Sequence, residues 1–149
     1  MSLSNNAESD LLKLLFENLA WAGVGDAGGL QPSASAGNLY VSLHTATLNG
    51  TSDQSSSEAT YGGYARVAVS RSAGSWTLSG SSPTSISNTS TIAFPACTSG
   101  SSTVTYFAIG TQSSGAGEIL FYGPLTASLA ITAGITPQFA ASGLSCSVL

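Results

Sequence analysis

Alternation of apolar and polar residues after position 38 constrains this chain more than any other feature. In Thr103–Gly110, Val104, Tyr106 and Ala108 interleave with Thr105, Phe107 and Ile109. In Glu118–Leu125, Ile119 and Phe121 interleave with Leu120 and Tyr122. In Asn38–Ala46, Leu39, Val41 and Leu43 oppose Tyr40, Ser42 and His44. A period of two is that of a strand with one face on a core. Shorter runs of the same kind recur at Ser75–Ser79, Ser85–Ser87, Thr91–Phe94, Ser128–Thr132, Thr136–Ala140 and Leu144–Leu149. Turn residues separate them, and Pro95 ends one because it cannot donate to a ladder. Eight to ten short strands at this spacing predict an all-β fold, a jelly-roll-like β-sandwich.

One stretch reads differently. Residues 1–23 predict a short N-terminal helix, with Asn5 as N-cap and Glu8 as its capping-box partner. Leu12, Leu15, Phe16 and Leu19 form a helical stripe, which Leu11, Leu14 and Trp21 widen. Gly23 and Gly25 are the expected stop. Such a helix either closes an open end of the β-domain or packs on a neighbouring subunit. Residues 24–37, rich in Gly, Ala and Ser, read as a linker, and 38–149 as the β-domain. A chain of this length folds as one domain that buries about 68–70% of its unfolded surface. Residues 47–57, with Asn49-Gly50 and a serine run, predict a long mobile loop.

The segment Glu58–Arg71 is the most distinctive surface. It holds two of the three basic residues, Arg66 and Arg71, together with Tyr61 and Tyr64. Gly62-Gly63 frees the backbone for a turn or bulge, and a strand is expected from Tyr64 onward. Glu58, Arg66 and Arg71 suit an ion-pair set, either between strands or between subunits. Tyr61 and Tyr64 suit either interface anchors or aromatics covering the end of the β-domain.

Charge narrows the function classes. Charged residues make up 7% of the chain, against a usual share of about 25%. Serine and threonine supply the polarity instead. No run of about 18 apolar residues exists, so no membrane span is expected. A net charge of −4 argues against nucleic acid, whose phosphates need clustered Lys and Arg. The N-terminus has no basic, apolar secretory signal, which points to synthesis and folding in a cytoplasm. Cys97 and Cys146 read as small buried hydrophobes. A single imidazole, His44, and no Gly-x-Ser-x-Gly elbow leave no basis for a hydrolase. Asp53, Glu58 and Glu118 are too sparse for a calcium site or a carboxylate pair. No enzyme activity, metal or cofactor is expected.

Several segments then resemble a group of small virion proteins of tailed bacteriophages. They are LYVSLHTA at Leu39–Ala46, EATYGGYARVAV at Glu58–Val69, IAFP at Ile92–Pro95, VTYFAIG at Val104–Gly110, GEILFYGPLT at Gly117–Thr126 and ITPQFAA at Ile135–Ala141. The serine-rich stretch around 51–57 departs from the group. The resemblance implies a short helix ahead of a jelly-roll-like domain and no catalytic residues. Members are often labelled tail-fibre-like, and others resemble capsid cement or decoration proteins. The expectation is a head decoration protein on the capsid exterior, bound to the major capsid protein and to itself as a homodimer or homotrimer. Two further readings are a tail-fibre or baseplate-associated protein and, from another class, a carbohydrate-binding module suggested by Trp76 and exposed tyrosines. Leu12, Leu15, Phe16, Leu19, Trp21, Glu58, Tyr61, Tyr64, Arg66 and Arg71 are the candidate interface residues.

Overall fold

The computed structural model of the protein describes residues 2–81 and 83–148. The expected helix start at Met1 and strand end at Leu149 lie outside the described residues. The fold class is the expected one: all-β, three sheets, one short N-terminal helix. After the helix come β1 (Asn38–His44), β2 (Val67–Ser70), β3 (Trp76–Ser79), β4 (Thr84–Asn88), β5 (Ile92–Ala93), β6 (Ser101–Gly110), β7 (Ile119–Thr132), β8 (Gln138–Phe139) and β9 (Ser145–Val148). The sheets are ordered β2-β1-β6-β7, β3-β4-β9 and β5-β8. No helix among the described residues is long and apolar enough to cross a membrane. The chain divides into two compact units, Met1–Asn38 with Ser70–Thr91 and Phe139–Leu149, and Leu39–Val69 with Ile92–Gln138.

The first unit is built on the helix. α1 runs Asn5–Leu12 and continues as a π-helical turn, Lys13–Glu17. Its N-cap is Ser4, whose hydroxyl accepts from the Ala7 amide at 3.3 Å, not Asn5. Glu8 therefore has no capping-box role. Its carboxylate is buried and accepts the Thr84 amide at 2.8 Å, tying the helix to β4. The helix ends at Asn18, in the left-handed conformation at φ 56°, well before Gly23. Asn tolerates that conformation because its short side chain bonds locally. Here Asn18 also exchanges two bonds with the Ser33 backbone, at 2.9 and 3.0 Å.

Leu12 and Phe16, two of the candidate interface residues, are wholly buried inside this unit. Phe16 meets Trp76 edge-to-face, ring centroids 4.7 Å apart. The Trp76 indole N–H donates to the Ser70 carbonyl at 3.0 Å. With 1% of its surface exposed, Trp76 is no platform for a sugar ring, which removes one of the residues that suggested carbohydrate binding. Ile86, Leu144 and Cys146 complete the core, with Ile86 opposite Leu78 on one side and Cys146 on the other. Leu15 and Trp21 are half-buried, and Leu19 is exposed.

Arg71 is the cation that holds this unit's irregular part. It pairs with no carboxylate among the described residues of its own chain, so an ion-pair set between strands does not include it. Its guanidinium donates to the carbonyls of Leu15 (2.7 Å), Leu14 (2.6 Å) and Ala36 (3.1 Å) and to the Ser33 hydroxyl. The first two are end carbonyls of the helical segment, where unpaired lone pairs and the helix dipole both favour a cation. The segment after Asn18 has its own order: Trp21 and Leu30 exchange both backbone hydrogen bonds, at 2.9 and 3.0 Å. The Asp26 carboxylate accepts from Gly28 and Gly29 in the turn between them.

In the second unit, β1 pairs antiparallel with β6, Tyr40 opposite Gly110 through His44 opposite Tyr106. Ser42 and His44, placed on the polar face by alternation, are as buried as Val41 and Leu43. Both faces of β1 are covered, so its polar residues point into a hydrogen-bonded interior. β2 begins at Val67 and not at Tyr64. β7 is one strand where two were expected, because a register shift leaves Leu125–Ser128 opposite Thr105.

Truncating Trp76→Ala is expected to cost about 3–5 kcal/mol, as for other buried large aromatics. Chemical denaturation of the full chain checks it, and a loss under 1 kcal/mol would contradict the central place given to Trp76.

Candidate functional site

The candidate site lies beside the β1-β6 pair of the β2-β1-β6-β7 sheet, where the long loop after β1 runs back past Tyr40 to meet the loop that leaves β6 at Gly110. Residues 45–57 and 111–117 form these loops, and Glu58–Arg66 runs beside them. Ordinary sequence rules make such Ser/Gly/Asn loops mobile. Three hydrogen-bonded anchors hold these ones in place.

The first anchor is Gln54, fully buried. Its amide N–H donates to the Tyr40 carbonyl at 3.1 Å, and its carbonyl oxygen accepts the Gln112 amide at 3.0 Å. The Gln54 backbone N–H donates to Gly117 at 2.9 Å. Gly110 and Gly117 leave the room; a Cβ on either would collide with the Gln54 side chain. The loop around it is turned by Asn49 and Asp53, each accepting from residues two and three ahead. Those bonds, from Ser55 first, hold the Asp53 carboxyl below its ordinary range. The loop expected to be mobile is thus pinned. One glutamine in a polar run carries no period, so alternation could not reveal it.

The second anchor is a relay from strand to loop. The Leu43 amide donates to the Tyr64 hydroxyl at 3.1 Å, and that hydroxyl donates to the Glu58 carboxylate at 2.8 Å. Arg66 grips the same carboxylate in a fork, Nε to Oε1 at 2.7 Å and Nη2 to Oε2 at 2.8 Å. Its remaining donors reach the carbonyls of Gln112 (2.9 Å) and Gly115 (2.7 Å) across the loop. A planar five-donor cation matches this arrangement; a lysine does not. The bond to Glu58 raises the Arg66 pKa further, and burial raises that of Tyr64. Glu58, Tyr64, Ala65, Arg66 and Ser113–Gly115 line an open hollow of about 240 Å³.

The third anchor is His44. Ser56 offers a carbonyl to its Nδ1 at 2.8 Å, so Nδ1 carries the proton and donates. The Ser42 hydroxyl faces Nε2 at 2.8 Å and donates to it when the ring is neutral. Burial lowers the His44 pKa from 6.5.

Of the candidate interface residues, the fold brings Glu58, Tyr64 and Arg66 into one network. Tyr61 is buried beside it, its ring 5.3 Å from Tyr64 and its hydroxyl donating to the Pro95 carbonyl at 3.0 Å. Arg71 belongs to the first unit. Gly62 approaches Ser99 closely, exchanging backbone bonds with Ser99 and Thr98, and Gly63 takes a φ of 91°, as the expected turn requires. Cys97 and Cys146 are free and buried, and burial pushes the Cys146 thiol up to about 12. Chemically, the cluster holds shape: the Glu58 oxygens and both His44 nitrogens are engaged in bonds within the chain.

A family model described as Podophage GP4 fiber I protein gp80 matches residues 2–147. The chain belongs to this family. It is a bacteriophage virion structural protein, as the resemblance of its β-segments implied at that level. The family's description names a fibre protein and says nothing of capsid cement. A search of curated proteins finds no match.

Two outcomes are expected. Arg66→Lys keeps the charge but loses the fork, costing about 2–3 kcal/mol in denaturation; amide exchange at residues 112–117 speeds up, while Trp76–Ser79 is unchanged. For His44, the folded pKa lies below the unfolded one, so folding favours the neutral ring. Its stabilisation is complete above pH 6.5 and is lost as pH falls through the lowered folded pKa. Urea midpoints from pH 7.5 to 5.5 should therefore drop in the native protein and drop less in His44→Gln; parallel curves would contradict this role.

Proposed function

We propose that this chain is a non-enzymatic structural subunit of a phage fibre apparatus, carried on the virion exterior and associating with itself. The observation that carries the reading is the match of residues 2–147 to a family whose description names a fibre protein. The geometry supports it. Ser/Gly/Asn loops held by internal hydrogen bonds, with Glu58 and Arg66 paired to each other, suit a surface that docks and holds. The polar groups a reaction would need are committed to the fold.

A second reading is the decoration role, with the major capsid protein as partner; the resemblance of Leu39–Ala46, Glu58–Val69 and the later segments favours it. Position and copy number separate the two. Immunogold labelling and quantitative mass spectrometry of purified virions are expected to place few copies, all on the tail. Labelling of the head in proportion to the major capsid protein would replace the fibre role with the decoration role.

A further inference from the structure

The outer edge of β7 is the part of the fold least guarded against another strand. β7 is the last strand in its sheet order, so β6 covers one side and no strand of the described residues covers the other. Proteins ordinarily blunt such an edge with a charge, a proline or a bulge. β7 uses the last two in its first half. Leu120 is an extra residue at the Ile109/Gly110 register shift, Pro124 has no N–H to offer, and Leu125–Ser128 bulge opposite Thr105. The second half has none of these. Leu129–Thr132 pairs in unbroken register with Val104–Ser101. Leu129 is 37% exposed, Ala130 and Thr132 are exposed, and only Ile131 turns to the core.

Charge decides the occupant. The chain carries a net −4, so two copies repel when their charged parts meet. Every charged side chain lies at or before Glu118, and none follows in residues 119–149. Two copies meeting edge to edge along the second half of β7 bring together no charged side chain of residues 119–149. A two-fold axis also makes one edge self-complementary, since each strand offers the other its own pattern of donors and acceptors.

We infer that Leu129–Thr132 of β7 pairs antiparallel with the same segment of a second copy, joining two four-stranded sheets into one. This rests on the self-association proposed above and names the surface that carries it. Pairing uses the backbone groups of Leu129–Thr132 that β6 leaves free, apart from the Thr132 carbonyl, which accepts the Ile135 amide at 3.0 Å. Leu129 and its symmetry mate lose exposed apolar surface at the join.

Analytical ultracentrifugation of the full chain over a range of concentrations tests it. The unmodified protein is expected to sediment as a dimer. Leu129→Lys, which puts a like charge on both copies at the shared edge, is expected to sediment as a single chain with unchanged near-UV circular dichroism. Tyr122→Lys, on the guarded half of the same strand, is expected to remain a dimer. If Leu129→Lys fails to fold, amide exchange of the unmodified chain decides: exchange at 129–132 should slow as concentration rises. A persistent dimer in Leu129→Lys, or dissociation by Tyr122→Lys in its place, overturns the β7 contact while leaving self-association intact. A monomer at every concentration overturns both. Protection of 129–132 only in assembled virions assigns the edge to another virion protein and also overturns the inference.

Discussion

Arg66 is the residue on which the order of the loop end depends. Four of its five donors meet a carboxylate and two loop carbonyls, and the carboxylate is itself tied through Tyr64 to the backbone of β1. A guanidinium left half-buried without these acceptors would carry a large desolvation cost. The loops must therefore stay where they can supply them. The loops stay ordered because the cation needs them there, and the cation stays because the strand fixes its counter-ion.

The same economy runs through both units. With so few charges, the chain ties irregular backbone down by burying polar side chains whose partners are carbonyls and amides. Gln54 does this in the second unit. In the first, Asn88 accepts the Leu144 amide and donates to Ser90 and Ala140. Arg71 does it for the helix end. A buried polar group is costly unless bonded, so each such residue selects one arrangement of the segments around it. The exterior is left sparsely charged and hydroxyl-rich, a surface suited to contact with only weak long-range fields.

How much of this was legible follows from the kind of signal. Strand runs such as Thr103–Gly110 were legible because half-burial imposes a period of two. β1 was legible as a strand but not in its faces, since a strand covered on both sides hides serine and histidine inside. The helix was read too long: Leu14, Leu15, Leu19 and Trp21 continue an apolar pattern, yet Asn18 turns the chain before that pattern ends. The candidate site was legible only as residue types. Glu58, Tyr64 and Arg66 stood out by their rarity, while Gln54 resembled its neighbours.

The sequence by itself determined the β class, the short N-terminal helix, the turn at Gly62-Gly63, the cysteines as small buried residues and the charge-free stretch after Glu118. All of these depend on local conformation or on composition. Tertiary structure alone decided what the polar residues do. Gln54 meets Gln112 across 58 positions, Arg66 meets Gln112 across 46, and Arg71 meets Leu14 across 57. A hydrogen bond needs its partner at about 3 Å with the right direction, and no local pattern specifies a partner that only the folded chain brings near.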